Sequence, residues 1–354
     1  MNQKTTPAGG RGQGHYPSKF QGHFARNRQQ FQVTTDPVTA FREAMAGAGL
    51  IPPADIITDG NLHRCDVAGR GVSGKGDGAY LLHNDGLLSG GFQNWQAGGG
   101  WQNWCAKRRD TLTTIEREEL RRRMDADRHA RMLETDRRHR VAQAKAVRIW
   151  QKAALVHGWH PYQLRKGILT LGLRVACWTK KVCDDSGNWQ DLRIENTLLI
   201  PMRDFDGEIW AVQGIFPEKT QELGNRDKDF LTGARKSGLF FLFGKIDPSG
   251  SVIICEGFAT GATLHENTGE TALVAFDAGN MEPVAVECRR RYPNIDLTIA
   301  CDNDRHTPGN PGLTKGRQAA LASGGRLLIP PFADDELGSD WNDWHQLRKG
   351  AAND

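Results

Sequence analysis

The spacing of apolar and polar positions changes character several times along the chain. Asp36 followed by Pro37 opens a stretch that closes on Gly47 and Gly49, which predicts a short helix near 36–50. Alternating segments at 61–67, 78–83 and 87–95, separated by glycine-rich turns, predict a small antiparallel β-unit reaching to about Lys107. From 111 to 156 there is neither proline nor glycine, and Arg, Glu, Asp and Ala dominate, so one long charged helix is expected. A modest apolar seam runs through Leu120, Met124, Met132 and Leu133. Val141, Ala144, Val147, Ile149 and Trp150 then suggest docking at the C-terminal end. A solvated spacer and a DNA-contacting helix fit this pattern equally well. Residues 196–202 and 208–216 are strand-like on either side of Asp206-Gly207, a hairpin turn signal, and 239–243 is a further short apolar strand.

After Ser251 the period changes again. Four short apolar runs, at 252–255, 272–276, 297–301 and 326–329, read as buried strands. Helical stretches near 259–267, 281–291 and 312–322 lie between them. Strands and helices in alternation predict a parallel, doubly wound α/β domain.

Composition and charge narrow the classes. A length of 354 residues predicts two or three compact units at ~100–200 residues each. No apolar run reaches ~18 residues, so no transmembrane helix and no membrane partner are expected. Residues 1–31 lack an apolar h-region, so no secretory signal is expected. Seven scattered cysteines, an odd number, then read as reduced thiols of a cytoplasmic protein. The net charge of +4 hides a strong asymmetry. Residues 1–35 hold five basic and no acidic residues, 107–156 hold fifteen and eight, and 246–345 hold seven and fifteen. A basic front and an acidic rear suit a polyanion partner and carboxylates gathered around metal ions.

Residues 1–35, rich in Gly, Gln, Asn, Arg and His, read as a disordered basic arm. Its Arg11, Lys19, Arg26 and Arg28, interleaved with Tyr16, Phe20, Phe24 and Phe31, are placed to touch nucleic acid, although an ordinary solvated tail has the same composition.

Three acidic constellations carry the chemistry. The strand 252–255 ends directly in Glu256-Gly257. The strand 297–301 ends in Asp302-Asn303-Asp304. After the last strand comes Gly338-Ser339-Asp340-Trp341-Asn342-Asp343. In open α/β sheets ligands gather outside the carboxyl ends of the strands. Two carboxylates at period 2 point to one side, and hard oxygen ligands there suit Mg²⁺ or Mn²⁺. Each acid alone is an ordinary turn or cap residue. Three groups in order, each after a buried strand, make coincidence a poor account.

Glu-Gly after the first strand, Asp-x-Asp after the third and a later Gly-x-Asp motif resemble the Toprim domain. The upstream segment Leu199-Ile200-Pro201-Met202-Arg203-Asp204-Phe205-Asp206-Gly207 is similar to a primase stretch. So is Lys228-Asp229-Phe230-Leu231-Thr232-Gly233 with Arg235 and Lys236. The resemblance covers about 160–345 and points to the DNA primases of plasmids, phages and integrative elements. It implies Glu256, Asp302 and Asp304 as the catalytic acids. The implied metal ligands are these three with Asp340 and Asp343. Arg203, Lys228, Arg235 and Lys236 are the implied basic groove for template or nucleotide phosphates. It further implies Mg²⁺-dependent synthesis of short RNA primers on single-stranded DNA from ribonucleoside triphosphates, with a replicative helicase acting in trans within a primosome. Three departures from the family pattern stand out: Thr260 where an acid often lies, Asp343 in place of a closer second acid, and Gln213-Gly214-Ile215 where glycine-arginine is usual.

The expected architecture is thus an α/β and α+β multidomain chain. A basic arm (1–35), a small N-terminal antiparallel β-domain (36–107), a long charged helix (108–156) and a mixed α+β primase subdomain (157–245) precede a Rossmann-like, mostly parallel Toprim domain (246–345) and a tail (346–354). The N-terminal β-domain stands where a zinc ribbon usually lies. Its His63, Cys65, His83 and Cys105 have the wrong spacing and no Cys-x-x-Cys exists, so no zinc is expected. A template-binding surface of Arg64, Lys75, Trp95 and Trp101, with Trp104, competes with a core role for the tryptophans. Gly69 to Gly76 nearly fits a P-loop, but Gly76 replaces the Ser or Thr that binds Mg²⁺, so a turn is expected. The alternatives are a Toprim nuclease, which uses the same acids with water as nucleophile, and a non-catalytic single-stranded-DNA-binding accessory protein. A topoisomerase needs a tyrosine in a further large domain, and Tyr16, Tyr80, Tyr162 and Tyr292 have no such context.

Overall fold

The structure is a computed structural model that describes residues 36–69, 76–97, 100–169, 172–183 and 188–351. The basic arm, the centre of the P-loop-like turn and Lys75 lie outside the described residues. The chain divides into two compact units, the first ending at Thr111 and the second running from Leu112.

The first unit begins with α1 (Pro37–Gly47), capped by the Asp36 side chain with Pro37 in its first turn. Five strands follow: β1 (Leu50–Ile51), β2 (His63–Val67), β3 (Gly78–His83), β4 (Ser89–Asn94) and β5 (Gln102–Cys105). They pair antiparallel in chain order as a meander. Phe41 and Met45 of α1 pack on Leu50, Cys65, Tyr80, Leu82 and Phe92. Trp104 turns its ring edge to Phe41 and joins that core.

The second unit opens with α2 (Thr114–Lys152), a helix of 39 residues started by a full capping box between Thr113 and Glu116. A second antiparallel sheet follows: β6 (Ala154–Leu155), β7 (Arg174–Cys183), β8 (Trp189–Arg203), β9 (Ile209–Thr220) and β10 (Arg226–Phe230). Its order is β10-β9-β8-β7-β6. The short helix α3 (Pro161–Lys166) lies between β6 and β7. Asp206-Gly207 turns the β8–β9 hairpin, with Gly207 at φ +83°.

This sheet is buried on both faces, and the alternation along β8 shows how. Leu198, Ile200 and Met202 enter one core, while Leu199 enters another with Ala146 of α2, Trp178, Val212 and Phe216. Gly214 is glycine for a steric reason: a Cβ there would lie 2.9 Å from both the Trp178 ring and Thr197 Cγ2.

The third sheet contains β11 (Phe241–Phe243), β12 (Ser251–Cys255), β13 (Thr271–Val274), β14 (Asp296–Ala300) and β15 (Arg326–Leu328). Its order is β11-β13-β12-β14-β15, with β11 antiparallel and the others parallel. Helices α4 (Phe258–Thr268), α5 (Ala278–Arg291) and α6 (Pro311–Ser323) connect the strands, and α7 (Trp341–Ala351) follows the last one. The sequence groups 239–243 with the middle sheet; in the structure Phe241–Phe243 pairs antiparallel with β13, where the Phe241 and Phe243 rings pack on Phe258. The core of the β8 face continues into Ile253, Cys255, Phe258, Ala262 and Val274, so the two sheets share one apolar layer. On the far face of the third sheet, Val252, Ile254, Leu273, Leu297 and Ile299 meet Met281, Val284 and Cys288 of α5.

Candidate functional site

The order of the third sheet creates a crevice. From β12 the chain moves to β13 on one side, then crosses back to β14 on the other. The loops after β12 and β14 therefore diverge, which is the topological switch point where open α/β sheets bind ligands. The register Cys255↔Ala300 sets the two strand ends side by side. Glu256 leaves β12 one residue later, and Asp302 leaves β14 two residues after Ala300.

These carboxylates are held in an unfavourable state. Burial, with the nearby Asp304 and Asp277 charges, pushes Glu256 up to about 7, against the pull of Lys228 and a hydrogen bond from the Ala278 backbone N–H. Burial, with Glu256, Asp340 and Asp304, pushes Asp302 up to about 8. Asp302 Oδ1 is buried with no hydrogen-bond partner. Asp304 is anchored differently: the Gly312 backbone N–H at the start of α6 donates to its Oδ2 at 2.9 Å. Gly312 makes that approach possible, since a Cβ there would lie 2.7 Å from the Asp302 carbonyl oxygen. Asn303 is fixed between the two acids. Its N–H donates to the Ser339 carbonyl at 2.7 Å and its side-chain oxygen accepts from Asn310 at 2.8 Å.

Asp340 and Asp343 come to the same edge at the start of α7, but they are compensated. Lys166 Nζ lies 3.2 Å from Asp343 Oδ1 and 4.0 Å from Asp340 Oδ2. The Asp343 N–H donates to Asp340 Oδ1 at 2.8 Å, capping the helix. Burial still raises the Asp340 pKa, with Lys166 opposing.

Beside these acids opens a cleft of about 370 Å³. Arg165, Lys166, Lys219 and Lys228 line it from the middle sheet and α3, with the first turn of α4 opposite; Asp227 and Asp340 with Asp343 also line it and pair with Arg165 and Lys166, so Lys219 and Lys228 are the cations they leave. Cations and free helix N–H groups facing one space suit a phosphorylated ligand. Thr260 Oγ1, buried in that turn, has no hydrogen-bond partner.

The basic residues expected from sequence separate into three groups. Lys228 lies in the cleft and lowers the pKa of both Glu256 and Asp302. Lys236 lies 3.5 Å from Asp277, the cap of α5, and over the Phe230 ring. Arg203 and Arg235 brace the β8–β9 hairpin instead. Arg203 Nη1 donates to the Gly207 carbonyl at 2.7 Å. Arg235 stacks 4.1 Å over the Trp210 ring and lies 3.6 Å from Asp204. In the first unit, the Arg64 guanidinium sits 4.2 Å over the Trp95 ring, which is 40% exposed. Trp101 is packed against Gly91.

Sequence reasoning missed Lys166, Arg165 and Lys219. The signal for the first two was a helix start at His160-Pro161 closing on Arg165-Lys166-Gly167, with Gly167 left-handed at φ +61°.

The donor set fits a divalent ion. Glu256 and Asp302 are half-buried and carry hard oxygens, and Asp302 Oδ1 is a buried oxygen with no donor. Among the described residues no three His, Cys, Asp or Glu side chains close on a single point.

Residues 251–352 match the family model of the Toprim domain, and the C-terminal sheet with its helices is a Toprim domain. The chain around it is similar to a named group of proteins. Over 315 residues it is 31% identical to a DNA primase TraC of Escherichia coli, covering 85% of this chain and 20% of that protein. A second DNA primase TraC of Escherichia coli is 32% identical over 318 residues, covering 87% of this chain and 28% of its own length. The chain thus spans about a fifth to a quarter of these relatives. A solved Aquifex aeolicus primase, with zinc-binding and RNA polymerase domains, shares 13% identity at a TM-score of 0.40, covering 90% of this chain and 86% of that one. That likeness is too distant to carry an argument.

Proposed function

We propose that this chain is a DNA primase that makes short RNA primers on single-stranded DNA by divalent-ion-dependent nucleotidyl transfer. The observation that carries the reading is the half-buried set Glu256, Asp302 and Asp304 at the sheet's switch point, in which Glu256 and Asp302 are pushed up, beside a cleft lined by Lys219 and Lys228. Similarity to DNA primase TraC across most of this chain supports it.

One or two carboxylates of the set Glu256, Asp302 and Asp304 would hold Mg²⁺ or Mn²⁺, with water and substrate phosphate completing its shell. Bound there, the ion supplies charge neutralisation at the reacting phosphate. The remaining work belongs to the protein. Lys228 and the N–H groups of the first turn of α4 orient the phosphates of a ribonucleoside triphosphate. Asp304, fixed by Gly312, keeps its carboxylate from swinging away. Glu256, at the end of β12, would accept a proton from the attacking 3′-hydroxyl. Template DNA lies along the basic surface, with strand separation left to a helicase in trans.

The test is direct. The protein is incubated with single-stranded DNA, labelled ribonucleotides and Mg²⁺ or Mn²⁺, and the products are resolved. Oligoribonucleotides that vanish in Asp302→Asn with Asp304→Asn are expected. Their absence from the wild type on varied templates, with a helicase present, would sink the primase reading; degraded template would replace it with a nuclease.

A further inference from the structure

Asp340 and Asp343 sit where the Toprim resemblance would place metal ligands, yet their surroundings differ from those of the other acids. Lys166 is the last residue of α3, and its backbone is gripped by α7 itself. The Lys166 carbonyl accepts from Asn342 Nδ2 at 2.7 Å and from Gln346 Nε2 at 3.1 Å. Its ammonium then lies between the two acids, at 3.2 Å and 4.0 Å. The other oxygens are also engaged: Asp343 Oδ2 accepts from the Ser339 N–H at 3.3 Å, and Asp340 Oδ1 from the Asp343 N–H at 2.8 Å. Asn342, 1% exposed, donates a further bond to Thr263 Oγ1 of α4 at 2.9 Å. Three helices are locked around one lysine.

We propose that Lys166 is the built-in counter-ion of the late acidic pair, so that Asp340 and Asp343 position α7 instead of binding a divalent ion. The ion-holding set is then Glu256, Asp302 and Asp304 alone. The inference rests on the divalent-ion reading above, and its physical basis is simple. A half-buried ammonium already answers both charges, and a dication brought to the same oxygens would have to displace it against like-charge repulsion. Asp302 Oδ1, by contrast, has no partner at all. Lys166 is a positioning residue in this account.

Mn²⁺ binding to the full chain, followed by electron paramagnetic resonance, tests the assignment without an activity readout. Asp302→Asn is expected to weaken Mn²⁺ binding at least ~10-fold, and Asp340→Asn with Asp343→Asn by less than ~3-fold. Lys166→Met, which frees the pair, is expected to add about one bound ion per chain. That ion disappears in the triple variant Lys166→Met, Asp340→Asn, Asp343→Asn, while Lys166→Arg keeps the wild-type stoichiometry. The proposal is overturned if the Asp340, Asp343 double variant loses as much Mn²⁺ as Asp302→Asn, or if folded Lys166→Met gains none. Should Lys166→Met fail to fold, the comparison of the Asp302 and Asp340, Asp343 variants decides alone. Wild-type binding that ignores Asp302→Asn would remove the underlying divalent-ion reading, and this assignment with it.

Discussion

Two groups of acids share one edge of the Toprim sheet and are treated in opposite ways. Glu256 and Asp302 are half-buried and pushed up to about 7 and about 8. Asp340 and Asp343 have an ammonium between them and backbone N–H donors at their oxygens. Buried charge without compensation is a standing cost, and a fold keeps it where a cation is to arrive. Compensated charge at the same edge is architecture. The identity of the residues is the same in both groups; their partners divide the roles.

The largest expected effect separates chemistry from stability. Asp302→Asn with Asp304→Asn should lower primer synthesis by on the order of 10³-fold or more. Above about pH 8, where Asp302 is ionised, the Asp302 change should not destabilise the metal-free protein, which should melt at the same or a higher temperature because an uncompensated charge is removed. Loss of both activity and fold would erase the contrast.

The pH dependence of the metal-free protein gives the next test. Glu256 and Asp302 have folded pKa values raised above their ordinary 4.5 and 3.8. Between those values and about 7 to 8 the folded state binds more protons than the unfolded one. Their contribution is therefore fully present at low pH and is lost as pH rises through that window, by on the order of a few kcal/mol. Scanning calorimetry should show this fall from pH 5 to 8, and Mg²⁺ should restore stability most at the upper end. A rise over that range, after correcting with Glu256→Gln and Asp302→Asn, would contradict it.

The compensated group should behave as structure. Asn342→Ala removes three side-chain hydrogen bonds, to the Lys166 carbonyl, Thr263 and Gln346, and should cost about 2 kcal/mol in denaturant unfolding. Asp343→Asn breaks a partly exposed pair and should cost less, about 1 kcal/mol. If Asp343→Asn proved the more damaging of the two, the Asp343–Lys166 pair would be the main lock and Asn342 secondary.

Much of this was visible in the sequence because it is written locally. The four parallel strands are continuous apolar runs, the long helix lacks breakers, and each of the first two acid motifs follows its strand directly. What escaped has non-local causes. β7 mixes Lys180 and Lys181 with apolar residues and shows no clean period, since Lys180 is turned to the buried Asp229 of β10 at 2.6 Å. β5 is four residues long and largely exposed, so no apolar alternation marks it. Phe241–Phe243 was legible as a strand, but its partner β13 was not. The helix that carries Lys166 has a local signal, but the lysine's partner does not: Lys166 meets Asp343 across 177 positions of chain. Arg203 and Arg235 had the right charge for a phosphate groove, yet a carbonyl and a tryptophan face claim them.

The cysteines give the parallel sheet a chemical clock. Cys255 and Cys301 each stand one residue before a site carboxylate, at the ends of β12 and β14, and both are fully buried. Burial holds the Cys301 thiol up at about 11 and raises the Cys255 thiol well above its ordinary value, so neither offers a thiolate to an alkylating reagent while the strands remain paired. Modification at these two positions can proceed only as fast as the crevice comes apart. Timed labelling read by mass spectrometry would thus report how often the ends of β12 and β14 separate, and how far a bound ion or nucleotide slows that separation.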